Sequence, residues 1–227
     1  MPHSAPQTFP LFPLGVVVFP EQTLPLHIFE DRYKKMIADC AQQGSDDYSL
    51  FGISYEHEGD IAPVGCAVQV LKVTRQYSNG TFDIVCRALW RYRIIDVRDH
   101  ERSYLVALVE PLDDDEDGPA DPALQMLVAD RLRQLTQLVE QDMGGAGFGS
   151  QEDEPDESLP HQDDADAFTI AQRIGLEPTK RQQVLELFSE NERLQYLADF
   201  LDELLPTIQQ RQDRQRRVKT NGHTPPE

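Results

Sequence analysis

Residues 10–33 read PLFPLGVVVFPEQTLPLHIFEDRY, and they form the least polar long segment of an acidic chain. Pro10, Pro13, Pro20 and Pro25 divide the segment. Between Pro13 and Pro20 runs Leu14-Gly15-Val16-Val17-Val18-Phe19. A β-branched run bounded by breakers reads as a buried strand. Proline cannot donate to a ladder, so the prolines are expected at strand ends or edges. Leu26-His27-Ile28-Phe29 then leads into Glu30-Asp31-Arg32-Tyr33, where a helix is expected from about Asp31 to Gln43. Tyr33, Met36, Ile37 and Cys40 recur there at helical spacing, and Gly44 suits a C-terminal cap.

The following residues are strand-like. Leu50–Ile53 is a short strand and Glu56–Asp60 a polar loop. Val64–Thr74 and Thr81–Arg87 make a hairpin about the Asn79-Gly80 turn signal. Leu89–Arg98 and Tyr104–Glu110 complete about six strands, a number suited to a small barrel-like sheet.

Asp113-Asp114-Asp115-Glu116-Asp117-Gly118-Pro119 reads as a linker. Its Asp-x-Asp-x-Asp-Gly spacing imitates a calcium loop, but Leu124 stands where the bidentate glutamate would be, so a solvated acidic turn is expected. An amphipathic helix follows from Pro122 to about Asp142. Gly144–Asp163, rich in glycine and acidic residues, reads as a disordered insertion. Further helices are expected over Ala165–Ile174, Lys180–Phe188 and Glu190–Gln212, the last kinked at Pro206. Thr179 with Gln182, and Ser189 with Glu192, have capping-box spacing. The expected organisation is a sheet domain over residues 8–112, a helical subdomain over 113–212 and a polar tail over 213–227.

Composition restricts function. The 227 residues carry 40 acidic against 21 basic side chains, a formal net charge of -19. That balance repels nucleic acid phosphates and anionic membranes. No apolar run reaches the roughly 18–20 residues that span a bilayer, and the N-terminus lacks signal-peptide features. Cys40, Cys66 and Cys86 are odd in number and lack CxxC spacing, which suits a reducing cytoplasm and argues against disulfides or a zinc site. Neither a cofactor nor a metal is expected. Of the six histidines, His27 alone is set in an apolar motif, where a core or rim role is expected rather than a catalytic base. The chain reads as a non-enzyme.

Several of these motifs occur in the order of a known family. Pro10–Gly15, Leu24–Glu30 and Arg32-Tyr33 resemble the opening of the Lon protease N-terminal domain. Pro63-Val64-Gly65 is similar to that family's "VGT" step, with Cys66 in place of threonine. Asn79-Gly80 with Leu89-x-Arg91-x-Arg93-Ile94 resembles its hairpin, although Ala88 stands where glycine is usual. Gln182-x-Val184-Leu185-Glu186 and Glu192-Arg193-Leu194 resemble its helical part. The resemblance covers about residues 9–205. It implies an α+β fold, a PUA-like β pseudo-barrel followed by a C-terminal helical bundle. It also implies recognition of unfolded or degron-bearing polypeptides, with a separate protease as a further partner if the chain is an adaptor. A phosphate-cradling GxxxxGK[ST] loop is missing and the chain ends where an ATPase would begin, so a stand-alone relative is expected.

Two binding surfaces are expected. Phe12, Leu14, Phe19, Leu26, His27 and Phe29 would form the rim of a groove that receives an extended peptide at a sheet edge. Glu30, Arg32 and Tyr33 would tie the first helix to the sheet, and Arg91 and Arg93 belong to the hairpin motif. The alternative is an RNA reader, with Arg87, Arg91 and Arg93 on one strand face beside Trp90 and Tyr92.

Overall fold

The computed structural model describes residues 5–41, 49–101, 103–114, 119–142 and 166–221. Six strands and five helices follow one another as β1 (Gln7–Leu14), β2 (Thr23–Ile28), α1 (Asp31–Ala41), β3 (Phe51–His57), β4 (Asp60–Gln76), β5 (Phe82–Asp99), β6 (Leu105–Pro111), α2 (Pro122–Asp142), α3 (Ala167–Arg173), α4 (Pro178–Glu186) and α5 (Glu190–Asn221). The fold is α+β. The linker residues 115–118 and the segment expected to be disordered, residues 144–163, lie outside the described residues. By contact the chain divides into two compact units, Met1–Asp115 with Ala171–Phe188, and Glu116–Ile170 with Ser189–Glu227.

In the first unit the strands pair in the order β2-β5-β4-β3-β1-β6, and β5 pairs again with β6. Five strands therefore close into a ring and β2 attaches to β5. Closure depends on the length of β5. Its first part, Phe82–Arg87, pairs with β2, and its last part, Tyr92–Asp99, pairs with β6. Register shifts along the β4–β5 ladder bend the two strands, as an extra residue in one strand does. Inside the ring, Phe9, Leu11, Ala67, Tyr92, Ala107 and Val109 form a core. The Tyr92 and Ser54 hydroxyls hydrogen-bond at 2.9 Å within it. Gly65 and Gly52 make room for this pair. A Cβ on Gly65 would lie 2.6 Å from both hydroxyl oxygens and press on the Ile53 carbonyl.

One sequence expectation fails at the start of the chain. The strand is Gln7–Leu14, and Gly15–Phe19 leaves the ladder. Val17, Val18 and Phe19 are nonetheless buried, so they satisfied the hydrophobic criterion without being a strand. Their polar backbone atoms find side-chain partners instead. Cys66 Sγ donates to the Val18 carbonyl at 3.2 Å, and Arg181 donates to the Val17 carbonyl from Nε and Nη2 at 3.2 and 3.1 Å. The Gln22 Oε1 accepts from the Phe19 N–H at 3.0 Å. The prolines meet the expectation as edges rather than as strand ends. Pro10 lies inside β1 where the strand registers with β6, and Pro13 where it registers with β3. Among the described residues the two ladders share Leu11 alone, so each proline has one free side on which its missing N–H costs nothing.

The link between β3 and β4 is a tight turn rather than the expected loop. Glu58 and Gly59 both have positive φ, 53° and 90°, which suits a two-residue hairpin. The expected Asn79-Gly80 turn is present, with the Gly80 N–H donating to the Tyr77 carbonyl at 3.0 Å.

Helix α4 packs on β4 and belongs to the strand unit, as does the end of α3. It starts at Pro178 after Glu177, so Thr179 is not its cap. Gln182, expected in a capping box, instead donates to the Val64 carbonyl at 3.0 Å. At the helix end, Arg91 Nη1 donates to the Leu185 and Leu187 carbonyls at 2.7 and 2.6 Å, and Nη2 pairs with Asp114. The guanidinium satisfies carbonyls that the last helical turn leaves open.

The second unit is built on α2 and α5. Val128, Leu194, Leu197, Leu201 and Leu205 are buried. Arg131 Nε donates to Asp202 at 2.5 Å and Gln212 to the Leu138 carbonyl at 2.6 Å. Ser189 caps α5 as expected, its hydroxyl accepting from the Asn191 N–H at 3.2 Å. The helix runs on through Pro206 to Asn221, beyond the expected end.

Replacing Gly65 by Ala forces backbone and hydroxyls apart, so a loss of about 1–3 kcal/mol is expected in urea unfolding. Arg91→Ala leaves two buried carbonyls without their charged donor. A loss of about 3–5 kcal/mol is expected by the same measurement, and Arg91→Lys, which cannot span all three acceptors, should recover less than half of it.

Candidate functional site

The strand and helix ends at Leu14, Ile28, Asp31 and His57 meet at one rim of the first unit. A cleft of ≈ 200 Å³ is lined there by Phe12, Pro13 and Leu14 of β1, Leu26–Phe29 at the end of β2, Glu30, Arg32 and Tyr33 at the start of α1, and Glu56 of β3. A second cleft, of ≈ 250 Å³, shares Pro13, Arg32, Tyr33 and Glu56 and continues to Gly59, Ile61, Tyr104 and Leu105. Each is below the range of roughly 300–1,000 Å³ usual for cofactor-sized ligands.

The floor is aromatic. Phe12 and Tyr33 are buried, with ring centroids 3.9 Å apart. Arg32 lies over the Tyr33 ring at 4.6 Å, and its Nε donates to Glu30 at 2.8 Å. Burial is the main reason that the Tyr33 hydroxyl is pushed above its ordinary range, and Glu30 and Glu56 push the same way against Arg32. Phe29 is 61% exposed, the most exposed of the apolar side chains lining the cleft. It stacks on His27 at 6.1 Å.

His27 is held from behind. Its Nδ1 lies 2.5 Å from Asp83, whose other oxygen accepts from the Tyr77 hydroxyl at 2.7 Å. These two bonds hold the Asp83 carboxyl below its ordinary value of 3.8, the His27 bond first. Asp83 orients His27, and among the described residues no serine, threonine or cysteine side chain is hydrogen-bonded to the imidazole. Cys40, Cys66 and Cys86 are buried and free, and burial pushes each thiol up to about 12. Among the described residues no group of three or more His, Cys, Asp and Glu could hold a metal ion.

The fold brings together Phe12, Leu14, Leu26, His27 and Phe29, which the sequence suggested for a rim, and adds Glu30, Arg32 and Tyr33, which were expected to tie the first helix to the sheet. Phe19 is elsewhere. It is fully buried beneath Arg181, whose guanidinium lies 4.5 Å from the ring, and cannot be a rim residue. Glu56, Ile61, Tyr104 and Leu105 were missed, because their approach depends on the parallel β1–β3 and antiparallel β1–β6 pairings. The expected basic strand face does not form. Arg87 pairs with Glu21, Arg91 is buried against carbonyls, and Arg93 lies over Phe188 at 5.5 Å.

Residues 8–203 match the family model described as the ATP-dependent protease La (LON) substrate-binding domain. The chain belongs to this family. Two solved structures share the fold. A Lon N-terminal domain protein from Xanthomonas campestris superposes with a TM-score of 0.62 at 23% identity, over 84% of this chain and 96% of that one. The N-terminal domain of the Mycobacterium avium complex Lon protease gives 0.61 at 17% identity, over 86% and 98%. The Lon-domain membership agrees with the order of motifs in the sequence. No described helix is long and apolar enough to cross a membrane.

The pH behaviour of the rim follows from Asp83. Its lowered pKa means that its contribution to stability is complete above about 3.8 and is lost as pH falls through the lowered value. In carboxyl NMR titration Asp83 should therefore titrate below 3.8, and His27→Ala should bring it back up toward that value.

Proposed function

We propose that the chain is a non-catalytic binding module that takes extended segments of unfolded or degron-bearing polypeptides into the cleft beside Phe29. The observation that carries this reading is the exposed Phe29 ring above an aromatic floor, in a chain of the Lon substrate-binding family. Among the described residues β5 is the one ladder partner of β2, so β2 keeps a free edge beside this cleft. The Ala88 N–H donates to the Gln22 carbonyl at 2.9 Å, which puts Leu24, Leu26 and Ile28 in phase toward β5. Thr23, Pro25 and His27 then face outward. Pro25 breaks the donor row, as it does on natural edge strands, and restricts backbone pairing by a guest strand. Affinity would come mainly from apolar side chains in the cleft.

In this reading the module presents clients to a separate protease, as an adaptor in protein quality control, and works in the cytoplasm. Phe29→Ala should weaken binding of a chemically unfolded, fluorescently labelled model protein about tenfold, as should Leu26→Ala. Phe29 is exposed, so its truncation should change unfolding free energy by no more than about 0.5 kcal/mol. Equal binding by wild type and both variants in fluorescence anisotropy would remove the cleft as the site.

A further inference from the structure

The two clefts share four lining residues and so form one continuous groove. Its chemistry changes along its length. Leu14, Leu26 and Phe29 make one end apolar. At the junction stand Arg32, Glu30 and Glu56. Arg32 is already matched by Glu30 at 2.8 Å. Glu56 is exposed near the end of β3, and its carboxylate makes no hydrogen bond or ion pair among the described residues. The junction therefore carries one uncompensated carboxylate. Glu56 lines both clefts, which places the charge within the groove. Beyond it, Glu58 and Asp60 flank the lining residue Gly59. The Tyr104 hydroxyl at the far end donates to Asp39 at 2.9 Å. His57 Nε2 lies 3.9 Å from the Glu58 carboxylate. The whole chain, at -19, reinforces the sign.

We propose that this groove selects unfolded segments in which an apolar or aromatic residue is followed closely by a lysine or arginine. The apolar side chain seats at Leu14, Leu26 and Phe29, and the basic one reaches Glu56. An acidic segment with the same apolar residue is repelled, so specificity comes from charge while the apolar end supplies affinity. The inference rests on the peptide-binding reading above and adds a rule for the client.

Two labelled, unstructured synthetic peptides test it, alike except that the lysines flanking a central phenylalanine in one are glutamates in the other. Fluorescence anisotropy with the full chain should show the lysine peptide binding roughly fivefold or more tightly, with the ratio narrowing as salt is raised. Net charge alone would also favour lysine, so two reversals are compared. Glu56→Lys should erase or invert the preference. Glu203→Lys, on the exposed face of α5 and outside the groove lining, changes the net charge equally and should leave the preference in place. Equal binding of the two peptides, or equal effects of the two reversals, overturns the charge rule. If in that case Phe29→Ala still weakens both peptides, the peptide-binding reading stands without it. If neither peptide binds the wild type, both readings fall.

Discussion

A buried backbone that leaves its ladder must find other partners for its carbonyls, and the run Val17–Phe19 imposes that demand on the strand unit. It lies under no strand, yet it is buried. Cys66 of β4 and Arg181 of α4 supply the donors for its carbonyls, and Gln22 accepts from its N–H while also holding Arg181 at 3.1 Å. The same contacts tie α4 to the sheet and fix where β2 begins. Arg91 adds a second tie at the other end of α4. A cationic side chain with several donors is the economical solution, since one guanidinium reaches two or three oxygens in fixed geometry.

The candidate groove is a consequence of this arrangement. With β2 started at Thr23 and carried along β5, its end comes beside the end of β1, where pairing with β6 has stopped. The strand ends leave a gap that α1 closes from below with Tyr33. Pro13 and Pro25 keep the exposed backbone poor in donors, which protects the rim from pairing with other sheets. Side chains rather than backbone therefore dominate the surface that the rim presents. The charge of the rim is the remaining variable, and Glu56 sets it.

Local signals were legible wherever the interaction that decides the structure is short-range. The Asn79-Gly80 hairpin, the periodicity of α1 and α2 and the Ser189 cap all depend on atoms within a few residues. The Val16–Phe19 run was misleading, because burial and strand pairing are separate conditions and the pattern of apolar residues reports only burial. Thr179 and Gln182 had capping spacing, but Pro178 already supplied a preorganised first turn, and Gln182 found a carbonyl on β4. The basic strand face failed for a related reason. Alternation says which residues share a face, and not which acceptors cover it. Arg91 is covered by the end of α4, some ninety residues further along the chain.

Most of the rim could be named beforehand because Phe12–Leu14 and Leu26–Tyr33 are nearly contiguous in the chain. The sequence by itself determined the family, the α+β class and the acidic character of the molecule, and it placed Phe12, Leu14, Leu26, His27 and Phe29 in one nearly contiguous apolar motif. These follow from composition, motif order and local periodicity. Tertiary structure alone decided that Phe19 is buried, that Arg91 is a structural clamp and that Glu56, Ile61, Tyr104 and Leu105 complete the groove. Each of those facts depends on which strand lies next to which, and strand pairing is a property of distant residues that no local pattern encodes.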